Sequence, residues 1–563
     1  MRKRHVIFLF LLLLNSSISA QDLQQFGKGT PVQLSGTLSV QGGPYVYLGA
    51  GEPRNEPFWW QLNGSPTLTV YGWQFPFSFN YGSRNKGYAQ PFNRYGVSPY
   101  YKWITLHLGY RSIRMNPFVM SGLQFLGGGV EMNPKGFRFA AFYGRFAKAL
   151  AQDTLASITP EVTYKRMGYG MKVGVGNRRN FFDISAVRVF DDTMSIPKPT
   201  DSEGVRPQDN LALGLGGRLA ISKQLYFQFD VAASLLNRDL SLAVIDTFKS
   251  LDIVPALFKP HFGAQLLKAG QASINYTKRS FSIKLQVKQV DPDYRSLATY
   301  YQQSDLRSIT VEPTLRLAKG KLRLGGSIGR QQDNVLKRKA FTSVRTISSA
   351  SLAWQPVKAY NLNVNYSNYG ITQQAGLQAL NDTFRIAQNN RSVGLSQSIF
   401  LNNKVRTYTI TTNVTFQELQ DLNVFGTYSS GENSVWFGTL NLNRIRLRDN
   451  LGLTGGVNLS QNIFQDGTSY LLVGPSIGVS KPFAGNKLQS AVNLAYNKGF
   501  QEGRSTGETV NMYSSMSYQV QKQHQFSLTC NLLYNSTPFA SSSSFTEIRF
   551  LAGYTYIFQT KTK

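Results

Sequence analysis

From about Asn210 to its end, the chain is a nearly unbroken series of segments of about ten residues in which apolar and polar side chains alternate. Period two places the two kinds of side chain on opposite faces of a strand. In FSIKLQVK, Phe281, Ile283, Leu285 and Val287 alternate with Ser282, Lys284, Gln286 and Lys288. LALGLGGRLAI and LYFQFDVAAS repeat the pattern with only Ser222, Lys223 and Gln224 between them, which makes a hairpin. TYTITTNVTF sets Tyr408, Ile410, Val414 and Phe416 against threonines and Asn413, and LGLTGGVNLS sets Leu451, Leu453, Val457 and Leu459 against Gly, Thr, Asn and Ser. The last such segment, IRFLAGYTYIF, ends on Tyr554, Tyr556 and Phe558.

Short connections at 318–321, 402–404 and 448–450 interleave with longer ones near 235–270, 291–308, 370–390, 499–507 and 536–544. About 18 strands follow Asn210, and the short/long alternation slips by one between Gln417 and Ser434. Before it, ITLHLGY, FRFAAFYGRF, YGMKVGVG and WQFPFSFNY read as strands among Pro-, Gly- and Asn-rich pieces, giving roughly six to ten more. With no linker between the halves, the expectation is one all-β domain over 21–563, a closed antiparallel transmembrane β-barrel of about 22–28 strands with long loops on one side. Residues 21–209 leave room for a partial plug or irregular strands. Closure follows because an open sheet edge in lipid strands unpaired N–H and C=O groups.

The start, MRKRHVIFLFLLLLNSSISA, has a basic end, an apolar run from Val6 to Leu14 and a mostly small-residue finish, the layout of a cleavable export signal over 1–20. Charged residues make up 16% of the chain, against about a quarter in ordinary soluble domains, while aromatics reach 13%. A soluble sandwich of this length breaks into domains and mixes charge on its wet face. The wet face here is mostly Ser, Thr, Asn, Gln and Gly, punctuated by basic residues. The formal charge of +30 becomes +27 once Arg2, Lys3 and Arg4 leave with the signal. In an exported chain this excess points to acidic lipid headgroups or anionic solutes and away from nucleic acid. A single cysteine, Cys530, excludes an internal disulfide.

In its signal, alternating strands and aromatic-ended final strand, the chain resembles the large outer-membrane β-barrels of Gram-negative bacteria, and its Asn-, Gln- and Tyr-rich style is similar to those of Bacteroidota. It departs from the commonest of these in carrying QTKTK after Phe558, where they end on the aromatic residue. The resemblance implies residence in the outer membrane. Energised transporters of the TonB-dependent type carry an N-terminal plug and a short box for their energising partner, and QDLQQFGKGTPVQL has no convincing box.

If the apolar face of FSIKLQVK meets lipid, Lys284 and Lys288 enter the lumen. The same phase sends Lys172, Arg218, Arg316, Arg323, Arg345, Arg446 and Arg549 inward, while the acids assigned this way are chiefly Asp230 and Glu547. Such a lumen attracts anions. The expected function is a channel for polar or anionic solutes through a basic lumen. The alternative is a barrel scaffold within an outer-membrane complex for secretion, assembly or surface attachment. Expected partners are outer-membrane lipid, including lipopolysaccharide phosphates, and proteins reached through loops such as 235–270. That loop places Leu242, Ile245, Phe248, Leu251 and Leu257 near helical spacing before Pro255 and Pro260, suiting a constriction, a docking surface or a helix capping the rim. His107, His261 and His524 have no Ser or acid at motif spacing, so no catalytic, metal or cofactor site is assigned and an enzyme is not expected.

Overall fold

The computed structural model describes residues 32–83, 92–151, 162–197, 204–245, 257–300, 302–375, 386–422, 432–537 and 544–559, so the export signal read at 1–20 lies outside the described residues. Twenty-eight strand segments form one sheet. The first eleven are Val32–Gly49 (β1), Phe58–Gly64 (β2), Thr67–Val70 (β3), Trp73–Gly82 (β4), Arg94–Val97 (β5), Tyr100–Tyr101 (β6), Ile104–Arg111 (β7), Phe125–Met132 (β8), Phe137–Ala147 (β9), Lys165–Gly176 (β10) and Phe181–Asp192 (β11). Asp209–Ala220 (β12), Leu225–Asn237 (β13), Gln265–Thr277 (β14), Phe281–Val290 (β15), Leu306–Leu317 (β16), Leu322–Gln332 (β17), Phe341–Trp354 (β18), Tyr360–Ala375 (β19) and Ala387–Asn402 (β20) follow. Arg406–Asp421 (β21), Asn433–Arg446 (β22), Leu451–Phe464 (β23), Ser469–Phe483 (β24), Leu488–Gln501 (β25), Arg504–Val520 (β26), His524–Ser536 (β27) and Phe545–Gln559 (β28) complete it.

Two staves are interrupted. β2 and β3 both pair with β1 and β4, and β5 and β6 both lie between β4 and β7. The breaks fall at Ser65-Pro66 and Ser98-Pro99, where proline cannot donate to the ladder. The carbonyls still serve it: Phe77 N–H donates to Pro66 at 2.8 Å and Leu106 N–H to Pro99 at 2.8 Å. The 28 segments therefore make 26 antiparallel staves. β1 closes on β28 from Ser35↔Gln559 to Gly49↔Phe545, leaving no open edge. Strands from β1 to β11 belong to this same sheet. β21 ends at Asp421 and β22 begins at Asn433, so a connection falls where the sequence alternation lapses.

The two ends of the sheet, Val32 and Gln559, share a rim, and every connection at that rim is short. Side chains shape these turns. Asn403 Oδ1 accepts from the N–H groups of Val405 (2.9 Å) and Arg406 (2.7 Å), and Asn177 and Ser222 do the same in their own turns. The opposite rim carries the long connections, including 148–164 and 238–264.

Strand register carries face identity around the barrel. Ile283, Leu285 and Val287 share a face with Ile309 and Val311 and, onward, with Ile328 and Leu352. This face stays open to the surroundings, with Leu285 at 42% and Ile328 at 60% exposure, as lipid-facing side chains are. Near the short-turn rim it collects Phe137, Phe229, Phe281, Trp354, Phe483, Phe526, Tyr554 and Tyr556, an aromatic girdle.

Candidate functional site: a loop-built partition and a two-sided lumen wall

Two connections at the long-loop rim fold back against the inner face. Residues 112–124, between β7 and β8, bury Ile113, Phe118, Val119 and Met120; residues 291–305, between β15 and β16, bury Tyr294, Leu297 and Ala298. They form one apolar cluster with Phe125, Phe142, Phe146, Val187, Val189, Ala212, Ala232, Leu267, Ala269 and Val290 of the wall. Glycine makes room for it. A Cβ on Gly214 would sit 2.6 Å from Val119 Cγ2, and one on Gly129 2.6 Å from Ile113 Cδ1.

Polar links hold the two loops together and to the wall. The Tyr294 hydroxyl donates to the Phe118 carbonyl at 2.8 Å and the Ser296 hydroxyl to the Val119 carbonyl at 2.6 Å. Buried Asn210 of β12 accepts the Leu297 N–H at 3.1 Å, while its amide donates to Ser234 Oγ and the Leu235 carbonyl at 2.6 and 2.9 Å. The Asn116 amide reaches the Leu215 carbonyl at 3.1 Å, beside the bare backbone of Gly216. Burial pushes the Tyr294 hydroxyl above its ordinary pKa, so it remains a donor.

Register places Lys172, Arg218, Lys284, Lys288, Arg316, Arg323, Arg345 and Arg549 on the inner face. They differ in company. Lys284 pairs with Glu312 directly across the ladder at 3.3 Å. Lys172 is buried, and its ammonium donates to the Arg114 carbonyl at 3.4 Å. Lys288 stands 5.8 Å from the Phe118 ring and has no ion pair among the described residues. Arg218 stacks 3.8 Å over Tyr226, Arg345 lies 6.0 Å from Tyr369 and Arg549 5.8 Å from Tyr45. Nε of both Arg218 and Arg345 makes no hydrogen bond among the described residues. Arg316 and Arg323 face each other across β16 and β17, next to their short turn.

Arg446 is a correction. It shares the face of Leu440 and Leu442, which are 51% and 46% exposed, and so points outward at the short-turn rim. There Nη2 meets Asp449 of the following turn at 2.5 Å, and the guanidinium holds that carboxyl down at about 2. NLNRIRLRDN carries Arg444 and Arg446 on the leucine phase, and strand ends at the interface tolerate such side chains because they reach past the apolar belt.

The inner acids also exceed the expected Asp230 and Glu547. Asp183 pairs with Arg138 at 2.7 Å, Asp191 with Arg166 at 2.7 Å, and Glu131 with His107 at 3.0 Å. His107 is buried, and its other ring nitrogen lies 3.2 Å from Ser98 Oγ, so strand pairing supplies the Ser and acid that linear spacing did not. Among the described residues, no group of three or more His, Cys, Asp or Glu is placed to hold a metal ion.

Below the long-loop rim, charge among the described residues is confined to one arc of the wall. Across β19–β27 the only charged inner-face side chains among the described residues are Asp421 and Arg504, both at the long-loop rim. The rest of that arc is Asn363, Asn365, Ser392, Ser396, Thr411, Asn413, Asn441, Asn458, Ser476, Asn493 and their like.

The insert 235–270 does not form the constriction in its described part. Phe258 packs against Leu211 and Leu235, and Leu211 shares the outer face with Leu213 and Leu215. Asn237 ties the segment down, donating to the Lys259 carbonyl at 2.8 Å and accepting the His261 N–H at 2.9 Å. Phe248 and Leu251, on which the helical spacing rested, lie outside the described residues.

No protein family and no curated protein matches the chain. Among solved structures it is similar to the P pilus usher (PapC) translocation pore, at 11% identity and a TM-score of 0.38, covering 94% of this chain and 100% of that one. It is also similar to Acinetobacter baumannii OccAB3 (12% identity, TM-score 0.30, 63% of this chain and 93% of that one). Pseudomonas aeruginosa OpdK with vanillate is a third (12% identity, TM-score 0.28, 63% and 93%). At these values the likenesses say nothing about cargo or mechanism.

Proposed function

We propose that the chain is exported with loss of residues 1–20 and that 21–563 forms an outer-membrane channel for polar solutes, with a preference for anions set by one arc of its lumen. The observation that carries this reading is the position of Lys288, Arg345 and Arg549 on the inner face without ion-pair partners among the described residues. Between the strands of Arg345 and Arg549 runs the β19–β27 wall, whose hydroxyls and amides offer hydration without fixed charge away from the long-loop rim. The partition narrows the lumen without filling it: a circular barrel of 26 strands about 4.8 Å apart and tilted ~40° is ~50 Å across. The described apolar cluster, by contrast, spans only the wall from β8 to β16. Lipid covers the outer face, with lipopolysaccharide phosphates as counter-ions for Arg307 and Arg330, which point outward near the long-loop rim.

The test is reconstitution of the full mature chain in planar bilayers, with conductance and reversal potential read across a salt gradient. The expected result is steady conductance with anion preference, reversed in a Lys288→Glu, Arg345→Glu, Arg549→Glu variant. A folded barrel that never conducts would overturn the reading.

A further inference from the structure

We propose that the cleft over the partition is a binding site for a hydroxylated organic monocarboxylate of roughly sugar-acid size. The cleft has a volume of about 620 Å³, within the range of small-molecule sites. Three guanidinium groups line it: Arg166, Arg238 and Arg295. Arg166 is neutralised by Asp191 at 2.7 Å and Arg238 by Asp293 at 3.2 Å. Arg295 has no carboxylate partner among the described residues, which leaves the cluster one positive charge in excess and a planar fork of donors unclaimed.

That vacancy is built in. Arg295 comes from the partition itself, where its own carbonyl accepts the Ser234 hydroxyl at 2.7 Å, so the backbone beneath the side chain is fixed to the wall. Burial lowers its pKa, and Arg166 and Arg238 lower it further, opposed by Asp191. A single carboxylate supplies the missing charge, and its two oxygens match the guanidinium fork.

The neighbouring groups narrow the class. Gln302 Oε1 is buried in the lining and makes no hydrogen bond among the described residues, so it calls for a donor such as a hydroxyl on the ligand. The exposed ring of Tyr300, with Leu123 and Leu297, offers apolar surface for the flat face of a sugar-like body. The site deepens the channel reading by naming a solute class, but binding can be measured without transport.

The experiment is calorimetric titration of the full mature chain in detergent with gluconate, beside neutral glucose and acetate as probes, for the native chain and for Arg295→Gln, Arg295→Lys and the outer-face Arg446→Gln. Heat-modifiable migration on gels confirms that each barrel is folded. The expected result is saturable gluconate binding, weakened at least tenfold in Arg295→Gln, partly kept in Arg295→Lys and unchanged in Arg446→Gln, with glucose and acetate much weaker. Equal binding of glucose, or gluconate binding indifferent to Arg295→Gln, would overturn the proposal. Gluconate binding by a barrel that does not conduct would sink the channel reading alone, and normal conductance without gluconate binding would sink this inference alone.

Discussion

The hydroxyl of Tyr294 donates to the carbonyl of Phe118 across 176 positions of sequence, joining two loops that leave the rim on either side of the wall from β8 to β15. The bond makes the partition one body. Tyr294→Phe removes the donor, leaves a buried carbonyl unpaired and is expected to destabilise the partition by about 1–3 kcal/mol. Single-channel recordings should show larger or noisier conductance, while the barrel keeps its heat-modifiable migration.

Overpacking the same contact from the wall should act in the same direction. Gly214→Val brings new atoms against Val119, whose Cγ2 already stands 2.6 Å from the added Cβ position, at an expected cost of about 1–3 kcal/mol. Proteolysis from the outside, followed by mass spectrometry, should cut first within 112–124.

The rim of the second loop is expected to respond to pH. Asp305 is buried, which works against its charge, but Lys339 at 2.5 Å and the Val335 N–H at 2.8 Å outweigh burial and hold the carboxyl below its ordinary pKa. Hydrogen bonding to Asp305 raises Lys339 in turn. A depressed acid stabilises above its unfolded pKa of ~3.9 and a raised lysine below its unfolded value of ~10.4, so the pair contributes between those limits and fails outside them. Acidification through pH 4 should loosen residues 291–305, read as faster amide exchange there. Asp305→Asn should remove that step.

Face assignment predicts opposite outcomes for two arginines. Arg345→Glu, on the inner face, should shift the reversal potential toward cations, since each unit charge at ~4 Å in a water-filled lumen is worth about 1 kcal/mol, roughly fivefold, and the substitution changes the charge by two. Arg446→Glu, on the outer face, should leave selectivity unchanged.

His107 bridges Ser98 and Glu131 as a polar tie between strands. His107→Ala is expected to cost about 1–3 kcal/mol by leaving Glu131 without its partner, and hydrolysis of a p-nitrophenyl ester should stay at the blank rate in both forms.

From β12 onward the strands were legible because apolar and polar side chains alternate along them, as in FSIKLQVK, where Lys284 and Lys288 lie on the face opposite Ile283, Leu285 and Val287. β11 was not. Its inner face carries Asp183, Ser185, Val187, Val189 and Asp191, apolar in the middle because the partition covers it, so inner and outer faces read alike. The partition left the same ambiguity in its own sequence: SIRMNPFVM has no strand period, and nothing in it announces a wall to pack on. The paired glycines of LALGLGG were the available signal, since a strand with a stripped inner face is a strand that something else approaches.

The uncharged arc from β19 to β27 sets how far the basic arc can govern traffic. At 0.1 M salt the Debye length is ~10 Å, while a circular barrel of this strand number is ~50 Å wide, so the far side of the lumen lies several screening lengths away. Anion preference is therefore a property of the solution beside the basic arc rather than of the whole opening, and it should widen as ionic strength falls and fade as it rises.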